Sequence, residues 1–225
     1  MRNIDKVKQK LDQLDIIPKK AWEVYTDHLG FAWTASVNDL ICNYINTKQV
    51  FDIVTGNVVM GKNLKDHFRV RDFHRAIHEI LALSEEKEEM SIENIHTIYL
   101  LLMWNLDIEQ ADQIHHTEDL QKLIHWVNRG TSHPIDQAAI LYGKLYKSKY
   151  FIESEMMANL LASWYLLTKG YTPIVIGTPD KKKFLEALEI YSRTKNSQLL
   201  VEIIEKAQEL TLNLYLDEIS EITRS

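Results

Sequence analysis

Glycine and proline are scarce in this chain, seven and four among 225 residues, and there is a single cysteine, Cys42. One cysteine excludes an internal disulfide and fits a reducing compartment. Long apolar runs are also missing. The longest, Ile98 to Trp104 and Ala158 to Leu167, fall well short of a bilayer span. Basic charge is not in excess: the formal charge is −6, no basic stripe or nucleic-acid motif occurs, and the cluster Lys181 to Lys183 is too short to make one. The N-terminus lacks the charged, apolar, small-residue order of a signal peptide. A soluble cytoplasmic protein with neither nucleic acid nor membrane as partner is therefore expected. At 45% hydrophobic residues, the chain is long enough to bury one substantial core.

What is present is helical periodicity almost throughout. Ser91 is placed to cap a helix over Met90 to Trp104, and Thr117 to cap one reaching Val127. Thr178-Pro179-Asp180 reads as an N-cap, a proline at the first helical position and an acid in the first turn, with Phe184, Leu185, Leu188 and Tyr191 on one face beyond it. Asn196 or Ser197 opens the last long helix. Only Val58 to Met60 and Ile174 to Ile176 look β-like, and both are short. SEEKEE, residues 84–89, reads as a solvated loop between helices. Residues 1–30 form an N-terminal helical extension whose amphipathic helix, Ile4 to Leu14, is expected to pack on a compact domain over 31–225. The fold class is all-α, a helical bundle with at most a very short β element.

The segment HPIDQAAILYGKLYKSKYFIESEMMANLLASWYLLTKGYTPIVI, residues 133–176, resembles the catalytic segment of the Fic family. In that family a helix with an Ala-Ala pair runs into a His-Pro-Phe-x-x-Gly-Asn-Gly-Arg-x-x-Arg loop. A long apolar helix follows, ending in Gly-Tyr-x-Pro. Pro134, Ala138 and Ala139 match upstream; Leu160, Leu161, Leu166, Leu167, Gly170, Tyr171, Pro173, Ile174 and Ile176 match downstream. The resemblance continues over residues 33–77 through Ser36, Asn43, Gly56, Gly61, Lys62, Leu64, His67 and Ala76. It implies a Fic-like helical bundle.

Of the loop itself only Phe151 survives. Counting from Ala138–Ala139 puts Lys149 where the family has its catalytic His, and counting back from Gly170 puts Ser148 there. No His follows His133, no Gly lies between Gly143 and Gly170, and no Arg between Arg129 and Arg193. The family's His is a general base, which must titrate near neutrality. Its glycines let backbone N–H groups reach phosphate at a helix start. Here Glu153, Ser154 and Glu155 occupy that start, and two carboxylates would repel a triphosphate. The second Arg, whose fork lysine cannot copy, falls on Asn159 or Leu160. Leu40 and Ile41 stand where the family's inhibitory Glu would lie. Asn105 to Thr117 is too short and lacks the strand pattern for the family's β-hairpin flap.

These losses are mutually consistent and imply a pseudoenzyme that binds another protein, an active relative or a second copy of itself, without a cofactor. The alternative is a divergent transferase moving AMP or a related phosphoryl group from ATP with Mg²⁺ to a protein hydroxyl. Tyr150, Phe151 and Ile152 are the interface candidates, aromatic and aliphatic anchors at the rim of a groove that the missing flap uncovers. Lys149 and Tyr150 read as surface loop residues, Trp164 and Tyr165 as core or dimer-face residues. His115 and His116, near Asp112 and Glu118, read as solvated. His74 and His78 share a helix face at a spacing a zinc ion can use, but two ligands do not make a site, and no metal is expected.

Overall fold

The structure, a computed structural model, describes residues 2–13, 19–111 and 114–224. Its helices are α1 (Asn3–Asp12), α2 (Lys19–Leu40), α3 (Thr47–Val54), α4 (Leu64–Glu85), α5 (Ile92–Met103), α6 (Ile108–Ala111), α7 (Thr117–Arg129), α8 (Pro134–Leu145), α9 (Ser154–Thr168), α10 (Lys181–Thr194) and α11 (Gln198–Arg224). No strand occurs among the described residues. The all-α bundle read from the sequence is the observed fold class.

Side-chain caps set several boundaries. Asn46, Asn63 and Ser91 accept backbone N–H groups in the first turns of α3, α4 and α5, and Pro134 opens α8 behind His133. Two expected caps are displaced. Thr117 is the first helical residue of α7, with His116 in the left-handed region before it. Thr178 and Pro179 lie in a 3₁₀ turn, Thr178–Asp180, ahead of α10. Proline lacks an N–H to give, so the tighter turn uses its fixed φ while α10 begins at Lys181.

α9 is the axis of the bundle. Every residue from Met156 to Leu166 is buried, so the helix is apolar all round, the mark of a core element. α8 and α4 are its main neighbours, and α5 packs on α4. α10 closes against α8 where Gly143 lets the Tyr191 ring lie on the backbone; a Cβ there would overlap the ring. α1 lies along α11. Arg2 binds Asp136 at 2.7 and 2.8 Å and Glu205 at 3.4 Å, and Asp5 accepts from Tyr171 at 2.9 Å and pairs with His133 at 3.0 Å. The expected end of this helix, Leu14, lies outside the described residues. The expected division at residue 30 falls inside α2.

Neither β-like piece is a strand. Residues 172–176 lie outside helix and strand and have no pairing strand among the described residues; side chains from three helices take the hydrogen bonds a sheet would supply. The Gln208 carboxamide of α11 accepts from the Thr172 N–H and hydroxyl and donates to the Thr172 and Pro173 carbonyls. In α9, Ser163 Oγ accepts from the Ile174 N–H at 2.9 Å and Asn159 Nδ2 donates to the Ile174 carbonyl at 3.0 Å. Ser36 of α2 both accepts from the Ile176 N–H and donates to its carbonyl, at 2.9 and 3.0 Å. The buried backbone is thus satisfied without a ladder. Val58 to Met60 is irregular backbone leading into a turn and is pinned by Val59, whose N–H donates to His67 Nε2 at 3.0 Å.

Candidate functional site

α8 ends at Leu145 with Tyr146 as its C-cap, and the chain reverses through Lys147, a left-handed residue whose ammonium meets Glu189 at 2.8 Å. The Ser148 N–H returns to the Leu145 carbonyl at 2.9 Å, while the Ser148 hydroxyl is buried without a partner among the described residues. Lys149 projects into solvent. The Tyr150 carbonyl accepts from the His115 N–H at 3.3 Å, which ties this loop to the stretch before α7. The Tyr150 ring is half-buried.

Phe151 turns inward, 3% exposed, its ring 5.1 Å from that of Tyr99 on α5. The Tyr99 hydroxyl also accepts the Ile152 N–H at 3.0 Å, and burial pushes this phenol's pKa above its ordinary value. Phe151 therefore belongs to the core, which corrects its reading as a rim anchor. An aromatic ring just before a helix start gains more by covering apolar neighbours than by facing water. Ile152 remains 48% exposed.

Glu153 precedes α9 and meets Arg69 of α4 at 3.0 Å. Its side chain makes no capping hydrogen bond to the helix. Ser154 is buried, and Glu155 is half-buried on the first turn, where its charge helps to raise the pKa values of the Tyr142 and Tyr146 phenols beyond what burial does. Two carboxylates and one guanidinium thus occupy the start of α9, and the carboxylates complement the positive end of its dipole.

Asn159 is completely buried. Its Oδ1 accepts the Trp33 indole N–H from α2, and its Nδ2 donates to the Ile174 carbonyl. Leu160 is also buried; Leu40 is buried and Ile41 half-buried, both packed into the main core. These positions join helices. Trp164 and Tyr165 are buried as well.

Asn105 to Thr117 holds the short α6 and no strand among its described residues; Asp112 lies outside them. Its start is clamped by Asp72 of α4, fully buried, which accepts from the Asn105 N–H at 2.8 Å and from Asn105 Nδ2 at 2.7 Å. Burial raises the Asp72 pKa against these two bonds and the nearby Arg75. Trp104 lies 55% exposed beneath the Arg75 guanidinium.

Next to Ser148 and Tyr150 a solvent-open cleft of about 520 Å³ separates α7, the end of α8 and the end of α10. Lys122, Lys144, Lys147 and Lys195 line it, with Asp119 as their counter-charge. Three of these ammonium groups lie over aromatic rings, Lys144 on Trp126, Lys147 on Tyr146 and Lys195 on Tyr191. Sequence periodicity does not reveal this grouping, which arises where two helices end side by side. Arg69, Tyr99 and Asp72 were likewise missed, since nothing local marks a helical Arg, Tyr or Asp as a loop anchor.

His115 and His116 are exposed. His74 is buried, its pKa lowered to about 4 by burial and the facing His78. No described helix is long and apolar enough to cross a membrane.

No family model matches the chain. Among curated proteins it is 23% identical over 184 residues to protein adenylyltransferase fic-1 of Caenorhabditis elegans, covering 72% of this chain and 36% of that protein. It is 23% identical over 214 residues to protein adenylyltransferase Fic of Drosophila virilis, covering 86% and 43%. The chain thus spans less than half the length of these relatives. Among solved structures, a fragment of Fic-1 from C. elegans superposes with a TM-score of 0.86 at 20% identity, over 96% of this chain and 69% of that one. A Fic domain-containing signaling protein from Bacteroides thetaiotaomicron gives 0.84 at 18% identity, over 98% of both chains.

Proposed function

We propose that this chain, a member of the Fic family by its sequence relatives and its fold, is a catalytically degenerate one that acts by binding another protein. The observation that carries the reading is the start of α9. The family's loop needs a base that titrates near neutrality and a glycine-lined helix start open to phosphate. In this chain Lys149 and Ser148 are the residues at the base position, and Glu153, paired with Arg69, stands at the helix start with Glu155 behind it. An incoming triphosphate meets two carboxylates before it meets a backbone donor. Anchoring of the loop by Tyr99 and by the His115 N–H further supports a fixed surface rather than a loop awaiting a nucleotide.

The contact face in this reading is the loop's outer side, with Ile152 and Tyr150 as its anchors in place of the buried Phe151. An active relative and a second copy of the chain are the two candidate partners. The names of the curated relatives favour one other reading, a divergent protein adenylyltransferase that keeps nucleotide transfer with different groups. Calorimetric titration with ATP and Mg²⁺ separates the two. The proposed function requires no binding at physiological ATP concentration, and micromolar affinity abolished by a change in this loop would overturn it in favour of the transferase.

A further inference from the structure

Among the described residues no cluster of three or more His, Cys, Asp or Glu side chains could hold a metal ion. One pair of imidazoles on α4, away from the loop, is nevertheless arranged as two ligands of a single ion would be. His74 and His78 lie one helical turn apart, with their Nε2 atoms 3.2 Å from each other and their ring centroids 4.8 Å apart. Two nitrogens about 2.0–2.1 Å from a common ion and 3.2 Å apart subtend roughly 100° at it, inside the range of tetrahedral coordination.

The surroundings of His74 fix which nitrogen is the ligand. Thr34 Oγ1 donates to the Gly30 carbonyl at 2.8 Å, which commits its only proton. At 3.3 Å from His74 Nδ1 that hydroxyl can then only accept, so Nδ1 carries the ring proton and the Nε2 lone pair faces His78. Phe31 stacks on the ring at 5.2 Å and 15°, and a Cβ at position 30 would stand 3.2 Å from His74 Cε1. A ligand imidazole held by its other N–H and packed on its faces is how proteins orient metal-binding histidines. His78 is exposed and can turn. Its Nε2 proton, now shared with His74, shifts to its own Nδ1 when an ion takes the lone pair.

We propose that His74 and His78 form a two-imidazole site for a borderline divalent transition ion, Cu²⁺ or Zn²⁺, with water in the remaining positions. Imidazole selects such ions over Mg²⁺ and Ca²⁺, and Cu²⁺ binds ahead of Zn²⁺ in the general affinity order.

The test is calorimetric titration of the untagged chain at neutral pH with CuCl₂ and with ZnCl₂, alongside electron paramagnetic resonance of the copper form. One Cu²⁺ per chain is expected, bound more tightly than Zn²⁺, with superhyperfine coupling to two nitrogens. His78→Ala, at an exposed position, should keep the fold by circular dichroism and weaken Cu²⁺ binding by roughly tenfold or more. Thr34→Val should weaken it while leaving the helical signal intact, and the His115→Ala/His116→Ala double variant should bind as the parent does. Equal affinity in the parent and His78→Ala, dependence on His115 and His116, or no binding at tens of micromolar ion would each refute the site.

Discussion

Replacing Asn159 with leucine tests whether this position, on which the family's second Arg falls in one register, serves here as a structural joint. The substitution roughly conserves shape but removes every polar atom of the side chain. The Trp33 indole N–H and the Ile174 carbonyl each lose a buried partner. An orphaned buried group costs about 1–3 kcal/mol, and some local relaxation follows, so a loss of about 2–4 kcal/mol is expected for the two groups. For a domain of this size, each kcal/mol lowers the melting temperature by roughly 2–4 °C, which gives a drop on the order of 10 °C. Thermal and urea melts followed by circular dichroism measure it. Trp33→Phe removes the indole donor from the other side, so the double variant should lose less than the sum of the single losses. A drop under about 1 kcal/mol, or strict additivity with Trp33→Phe, would show that Asn159 does not join α2 to α9.

Further outcomes follow from other joints. Gln208→Met removes the carboxamide partners of the Thr172 and Pro173 backbone and should cost about 2–4 kcal/mol in the same melts. Gly143→Ala drives a methyl into the Tyr191 ring and should destabilise by about 1–3 kcal/mol, with Gly143→Ala/Tyr191→Leu partly restored. Lys149→His should restore no label transfer from radioactive ATP, since a base alone cannot replace groups that act as a unit; transfer above background would mean that a phosphate site persists. The hydrogen bonds from His133, the Arg2 N–H and Tyr171 outweigh burial and hold the Asp5 carboxyl below its ordinary value. Its contribution to docking α1 is therefore present above about pH 4 and lost as pH falls through the depressed folded value. Amide exchange in α1 should rise in that window, and Asp5→Asn should abolish the pH dependence.

The elements legible in the sequence are those whose information is local. The period of Leu199, Leu200, Ile203, Ile204 and Ala207 set α11, Ser91 capped α5 as expected, and the apolar wrap of α9 announced its burial. The candidate site was legible only as a set of residue types. That Lys149, Glu153 and Glu155 replace a base and glycines can be read by counting. That Phe151 faces the core depends on Tyr99, some fifty residues away in the chain, and that Glu153 finds Arg69 depends on α4. Residues 174–176 misled because β-like composition reports a buried apolar run without saying what will take its hydrogen bonds. Thr178 misled because its proline favours a tighter turn than the helix behind it.

The segment 172–176 also governs how the molecule comes apart. Its alternate amides at 172, 174 and 176 are each held by a different helix, α11, α9 and α2 in turn. In a sheet, an edge can peel away while the rest of the ladder stays closed; here no helix of the three can swing out without exposing an amide deep inside the protein. Fraying is then expected only at the periphery, with the centre opening as one cooperative unit. Hydrogen exchange at these three amides therefore reports global unfolding, although none of them belongs to a helix or a sheet.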